Sequence, residues 1–326
     1  MGAAYVYKWN GTTSKWDETK LVASDGAAYD WFGFSVAVSG DTVVVGAPYK
    51  GGGGAAYVYK FDGTTSTWDE TKLTASDGAG GDYFGWSVAV SGDTVVVGAY
   101  GDDGYKGAAY VYKIDGATWQ EEAKLTASDW TPPSYYGWFF GCSVAVSGDT
   151  VVVGAEQASV NSSHPGAAYV YKFDGTTWQE KTKLTTSDGT AYFYGFGHSV
   201  AVSKNTIVVG NPYNLVKGYA SGAAYVYRVT IRSVIDFFNS AVGQGDLVGV
   251  GPVPQAAEGR LIALGNMLAQ AEYYIDNSLI PEACEQLMDA YLKTDGNPLP
   301  PDFVSGDATS DLAAGIQVLS ANLGCP

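Results

Sequence analysis

Ser35-Val36-Ala37-Val38-Ser39-Gly40-Asp41-Thr42-Val43-Val44-Val45-Gly46-Ala47 reads as two short strands closed by a tight turn. The first half alternates valine with small residues, the period of a strand with two different faces. The second half, Thr42–Ala47, is a continuous apolar run, as expected of a strand buried on both sides. Gly40-Asp41 between them is a two-residue hairpin loop, a turn that requires positive φ. The same string returns from Ser87 and Ser143, and as SVAVSKNTIVVGN from Ser199. Lysine tolerates positive φ less well than glycine, so the Lys204-Asn205 turn is expected to be looser.

Other strings recur in step with this one. GAAYVY begins at Gly2, Gly54, Gly107, Gly166 and Gly222, and WDETKL or a close variant begins at Trp16, Trp68, Trp119 and Trp178. Each period therefore holds four strands: A (Ser35–Ser39), B (Thr42–Ala47), C (Ala3–Lys8) and D (Trp16–Val22). In strand C, Tyr5 and Tyr7 share one face, and Val6 and Lys8 the other. Four antiparallel strands in a period of 52 to 59 residues is the arithmetic of a β-propeller blade, and one blade buries its faces only by stacking on its neighbours. Three complete blades are expected between Gly33 and about Leu184. Residues 1–230 begin with C and D alone and end with A, B and C (Ser199–Arg228). Four or so blades follow, with one strand C in surplus, to be closed within the chain or by another chain. Met1 opens directly on a repeat, which suggests a removed leader or a longer parent chain.

Each strand A is preceded by an aromatic-glycine step, at Phe32-Gly33, Phe84-Gly85, Phe140-Gly141 and Phe196-Gly197. That step, the following Ser-Val-Ala-Val and the Val45-Gly46-Ala47 ending resemble the FG-GAP repeat family of integrin α-subunit propellers and many secreted bacterial proteins. The resemblance covers residues 1–230 and implies an extracellular propeller. Integrin-type repeats carry calcium in a DxDxDG-like loop between strands A and B. Here that loop is only Gly-Asp.

Composition limits the function classes. The net charge is −16. Residues 231–326 hold 3 basic and 12 acidic side chains, against 15 and 22 in residues 1–230. An acidic chain is a poor ligand for nucleic acid or an anionic membrane surface. No apolar run is long enough to span a bilayer.

In an up-and-down blade the D–A and B–C loops share one face, and length variation falls only on them. Variable loops on a rigid support are where recognition sits. The longest D–A loop carries Trp130, Tyr135, Tyr136 and Trp138, candidates to stack on a sugar or anchor a protein. Asp25 and Asp30, repeated as Asp77 and Asp82, have two readings, calcium ligands or turn formers, and the second is preferred. No cofactor is required. Asn10 and Asn161 open glycosylation sequons. His198 and Cys142 share one repeat position with Phe34 and Trp86, so neither reads as catalytic, and no nucleophile–base pair recurs.

From about residue 231 the apolar period becomes helical, with Leu261, Leu264, Met267, Leu268 and Ala271 on one stripe. Helices are expected near 281–292 and 310–323, and a further one over 234–242. This stretch resembles the small helical FIMAH modules of secreted bacterial proteins, through Phe237-Phe238, Gly259-Arg260-Leu261, Asn266-Met267-Leu268, Ala283-Cys284 and Thr294-Asp295-Gly296. Cys284 and Cys325 flank its helices, and a bridge between them is preferred over two free thiols. A bridge would imply an oxidising compartment.

The expected protein is therefore extracellular and non-catalytic: a mainly β propeller with a small all-α domain, working by binding or adhesion and self-assembly. Self-association would use an unpaired strand or the C-terminal module. The alternatives are a glycan- or protein-binding module of a larger secreted protein, and a secreted hydrolase.

Overall fold

The computed structural model describes residues 2–116, 118–131, 137–159, 165–186, 194–204, 206–214, 221–228, 230–294, 303–323 and 325. It divides into two compact units, Met1–Tyr227 and Arg228–Pro326.

The first unit is built from antiparallel sheets in sequence order. Among the described residues β1 (Ala4–Asn10) pairs only with β2 (Lys15–Leu21). Three four-stranded sheets follow: β3 (Val36–Ser39), β4 (Thr42–Ala47), β5 (Ala55–Asp62) and β6 (Thr67–Leu73); then β7 (Ser87–Ser91), β8 (Thr94–Ala99), β9 (Ala108–Asp115) and β10 (Thr118–Leu125); then β11 (Phe140–Ser147), β12 (Thr150–Ala155), β13 (Ala167–Phe173) and β14 (Trp178–Leu184). A three-stranded sheet of β15 (Ser199–Ser203), β16 (Thr206–Asn211) and β17 (Ala223–Arg228) ends the series. A tight turn, α1 (Asp102–Tyr105), in which Asp103, Gly104 and Tyr105 hold positive φ, interrupts the loop between β8 and β9. The sheets are propeller blades, with the A strands β3, β7, β11 and β15 lying next to one another.

The TVVVGA strands are buried because both faces meet a neighbouring blade. Val58 of one blade packs with Phe84, Tyr110 and Tyr112 of the next, and the third blade repeats this with Val111, Phe140, Tyr169 and Tyr171. Glycine at position 46 is dictated by this stacking. A Cβ there would lie 2.0 Å from the Gly85 carbonyl oxygen of the next blade, and Gly98 meets Gly141 in the same way at 2.1 Å.

The two later D strands carry one extra residue, WQEEAKL and WQEKTKL against WDETKL. Register shifts between Glu121 and Ala123, and opposite Val170 and Tyr171, absorb it as a β-bulge. Glu121, Glu180, Lys124 and Lys183 thereby keep the phase of Glu70 and Lys72.

Lys204, the first residue of the fourth turn, holds φ 51, beside 55, 56 and 57 at Gly40, Gly92 and Gly148, so this residue is no looser than the glycines; Asn205 lies outside the described residues. The Lys204 amide donates to Ser147 Oγ at 3.0 Å, as those of Gly92 and Gly148 donate to Ser39 and Ser91 at 3.2 Å. The joint with the preceding blade imposes the turn.

The second unit packs α2 (Ile231–Gln244), α3 (Pro254–Asp276), α4 (Ile280–Tyr291) and α5 (Thr309–Leu323) around Leu264, Leu268, Leu287, Leu312 and Ile316. β18 (Val248–Gly249) and β19 (Val304–Ser305) form a short ribbon beside them. Thr230 and Ser233 cap α2 reciprocally, and Gly245 ends it at φ 82. α3 starts seven residues before Leu261, the first residue of the apolar stripe read from sequence, with Pro254 in its first turn. Cys284 and Cys325 are joined by a disulfide. Among the described residues no helix is long and apolar enough to cross a membrane.

Candidate functional site

Three of the four candidate calcium ligands, Asp25, Asp30 and Asp77, are held by lysines. Asp25 Oδ2 accepts from Lys72 Nζ at 2.7 Å, and its Oδ1 accepts from the Tyr57 hydroxyl at 2.6 Å. Lys50 Nζ lies 3.0 Å from Asp30 Oδ2 and also donates to the Asp25 carbonyl. In the next repeat Lys124 bridges Asp77 at 2.7 Å and buried Asp102 at 2.9 Å. Asp30 and Asp82 are buried, and each closes its own loop by accepting from the amide three residues earlier, at 2.6 Å. An ammonium group therefore stands beside Asp25, Asp30 and Asp77 where a metal ion would sit, and these three carboxylates do not fit calcium. Among the described residues no group of three or more His, Cys, Asp or Glu side chains is placed to hold a metal. Hydrogen bonds from Lys72 and Tyr57 bring the Asp25 carboxyl down to about 2. Lys124 lowers that of Asp77 in the same way.

These contacts belong to a blade joint that repeats through the unit. Glu70 accepts from the Ser24 amide and hydroxyl and from the Tyr59 hydroxyl. Glu121 does the same with Ser76 and Tyr112, and Glu180 with Ser128 and Tyr171. Ser35, Ser87 and Ser143 each donate to the carbonyl of the next Phe-Gly glycine, at 2.7 to 2.8 Å.

The predicted aromatic loop is not the exposed aromatic site. Trp138 is 1% exposed and lies in the core of the third blade, so its ring is not available to a ligand. Trp130 is half-buried against the same core, with Lys106 Nζ 5.1 Å from its ring. The apolar core between the second and third blades takes up both indoles in place of a ligand. Tyr135 and Tyr136 lie outside the described residues, as do Asn161, His164 and Asp188. Asn10 shapes the β1–β2 turn: its Oδ1 accepts from the amides of Thr12 and Thr13, and its Nδ2 donates to Asp17.

The same loop face carries a different aromatic surface. Trp31, Phe34, Tyr49, Tyr83, Trp86, Tyr100, Tyr105 and Phe139 form one connected chain of rings across three blades. Its links include Trp31–Tyr49 (4.3 Å between centroids), Phe34–Trp86 (4.4 Å), Tyr49–Tyr83 (5.3 Å), Tyr83–Tyr100 (5.0 Å) and Tyr100–Phe139 (5.4 Å). Trp31, Phe34, Tyr49 and Tyr105 are exposed, and the other four are half-buried beneath them.

Four of these residues stand in left-handed backbone: Trp31 (φ 56), Tyr83 (φ 57), Tyr105 (φ 69) and Phe139 (φ 56). Bulky side chains are rare there, and such strain concentrates at ligand clamps and active sites. Three of the four directly precede the Phe-Gly step, where the fourth repeat has Gly195 (φ 127). The backbone at this position is thus served by glycine, and three repeats hold an aromatic ring there instead. Among the described residues the linked rings stop at the fourth repeat, where His198 Nδ1 meets Glu156 Oε2 at 2.7 Å and Tyr194 and Tyr213 form a separate pair 5.3 Å apart. Alignment of the residues flanking each Phe-Gly step would have found the belt; read as packing, they pass unnoticed.

The FG-GAP repeat model matches four segments, residues 16–59, 68–112, 119–171 and 178–227. Each runs from strand D of one blade to strand C of the next, so the matched unit spans a joint. In that frame β1 is the surplus strand. No curated protein matches the chain.

Proposed function

The chain belongs to the FG-GAP repeat family, and on that premise we propose that it is an extracellular, non-catalytic binding and adhesion protein that also self-assembles. The aromatic belt on the loop face carries this reading. Exposed Trp and Tyr rings stack on the apolar faces of sugar rings and keep a polar edge in water. The net charge of −16 disfavours polyanions, and exposed Trp and Tyr rings favour a neutral polysaccharide among the remaining ligands. The family's extracellular character and the Cys284–Cys325 bridge support a secreted location. The helical unit is a FIMAH-like attachment module. Self-assembly draws support from aromatic side chains of β1 left open to solvent.

Calorimetric titration with soluble β-glucan and mannan tests the reading. Binding to one of them is expected, weakened at least tenfold by Trp31→Ala and left unchanged by Trp119→Ala on a D strand. Binding indifferent to Trp31→Ala, or none to either polysaccharide, overturns the belt as the site. Hydrolysis of the bound polysaccharide, abolished by one carboxylate substitution, overturns the non-catalytic assignment.

A further inference from the structure

The two ends of the blade series carry the two halves of one joint. At each interior joint, strand C of one blade presents a valine face and strand C of the next presents a tyrosine face. Tyr57, Tyr110 and Tyr169 are 0% exposed in this contact, and Tyr59 is 3% exposed. Their equivalents on β1, Tyr5 and Tyr7, are 52% and 55% exposed. On the opposite side, Val58 and Val111 are 1% and 0% exposed, whereas Val226 on β17 is 59% exposed.

The open tyrosine face is already arranged as it is inside a joint. Tyr7 donates to Glu18 at 2.6 Å, as Tyr59 donates to Glu70 at 2.8 Å. Lys20 Nζ stands 5.9 Å from the Tyr5 ring, as Lys72 Nζ stands 6.0 Å from that of Tyr57.

We propose that the β1–β2 face of one molecule docks on the β16–β17 face of a second copy of this chain, head to tail. This rests on the self-assembly reading above and assigns the surface that performs it. Charge fits as well as shape. Where strand C ends, Lys8 sits 4.6 Å over Phe61 of the next blade, and Lys113 sits 4.8 Å over Phe173. The equivalent cation at the open end is exposed Arg228, and the equivalent ring is exposed Trp9. Docking therefore sets the Arg228 guanidinium of one copy over the Trp9 indole of the next, where arginine stacks better than lysine. A head-to-tail contact is heterologous, so it propagates into chains or large rings rather than stopping at a dimer.

Sedimentation equilibrium over a concentration series tests this, with Tyr5→Asp and Val226→Asp, both at exposed positions, checked for unchanged circular dichroism. The wild-type chain is expected to rise in mass beyond a dimer. Each variant alone should stay monomeric, and their equimolar mixture should reach twice the monomer mass and stop, since one intact face remains on each. A Val226→Asp variant that still dimerises alone overturns the head-to-tail geometry in favour of a symmetric contact. Association insensitive to both variants overturns this surface and leaves self-assembly standing, whereas a wild-type chain monomeric throughout overturns both.

Discussion

Lys72 Nζ lies 2.7 Å from Asp25 Oδ2, which sets how this protein responds to acid. The Asp25 carboxyl is held at about 2, below its ordinary 3.8, by hydrogen bonds from Lys72 and Tyr57. The unfolded chain therefore takes up this proton first as pH falls. The stability it contributes is complete above about 4 and is lost as pH drops through about 2. Asp77, lowered by Lys124, adds a contribution of the same sign. The melting temperature should fall steeply across this window. Asp25→Asn should melt lower at neutral pH and lose less than the wild type on acidification. A parallel decline of the two proteins would show that the pair does not couple protonation to folding.

At the alkaline end the sign reverses. Burial, with carboxylates beside the hydroxyls, raises the phenols of Tyr57, Tyr59, Tyr110, Tyr112, Tyr169 and Tyr171 well above their ordinary 10.0. A folded value above the unfolded one means that this stability is complete below about pH 10 and is lost as pH rises beyond it. Tyrosinate absorbance should show these phenols ionising in a single cooperative step that coincides with loss of the far-ultraviolet β signal. Gradual ionisation ahead of unfolding would show that the joints open individually.

Glu70 and Glu18 occupy the same place in successive repeats, but only Glu70 has a joint to hold. Its carboxylate takes three donors from Ser24 and Tyr59, whereas Glu18 takes the Tyr7 hydroxyl on an exposed strand. Glu70→Ala takes the acceptor from the exposed Ser24 amide and hydroxyl and from the buried Tyr59 hydroxyl, which keeps the Val22 carbonyl, and should cost about 0.5–1.5 kcal/mol. Glu18→Ala should fall within about 0.5 kcal/mol of wild type, as surface substitutions do. Denaturant titration of the two variants separates them. Equal losses would mean that the joint hydrogen bonds add nothing to the stability of the stack.

The strands were legible because each repeat states them again. Thr42–Ala47 matches β4 to the residue, and its apolar run, glycine turn and period all point to one blade. Features that depend on a neighbour were harder to read. Nothing in Trp138 itself distinguishes a ring sunk between the second and third blades from one facing solvent. Calcium stayed open beside the preferred turn-forming reading of the paired aspartates because Lys50 and Lys72 are 25 and 47 residues from Asp25 in sequence. The belt escaped because its rings are scattered over loops 14 or more residues apart, and because positive φ at Trp31 and Tyr83 follows from the Phe-Gly joint rather than from their own preference.

Lys204 bears on how strongly a joint overrides local preference. Its φ of 51 costs a lysine about 1–2 kcal/mol relative to glycine. The Ser147 Oγ contact uses its backbone amide, which a glycine would retain. Lys204→Gly should therefore raise stability by about 1 kcal/mol, read as a shift of the denaturant midpoint at unchanged slope. No gain would mean that the lysine side chain makes a compensating contribution.

Trp31 poses the same backbone question with the opposite functional stake. It holds φ 56 where the fourth repeat has glycine, and its ring is 49% exposed against Tyr49 and Phe34. Trp31→Gly relieves a strain of about 1–2 kcal/mol and gives up the packing of a half-exposed indole. The two changes oppose each other, so stability should stay within about 1 kcal/mol of wild type, while polysaccharide binding falls at least tenfold. That combination is expected of a ring held in place for a ligand. A loss approaching the roughly 3–5 kcal/mol of a core aromatic truncation, with binding intact, would make Trp31 a structural element of the first joint and move the site elsewhere on the belt.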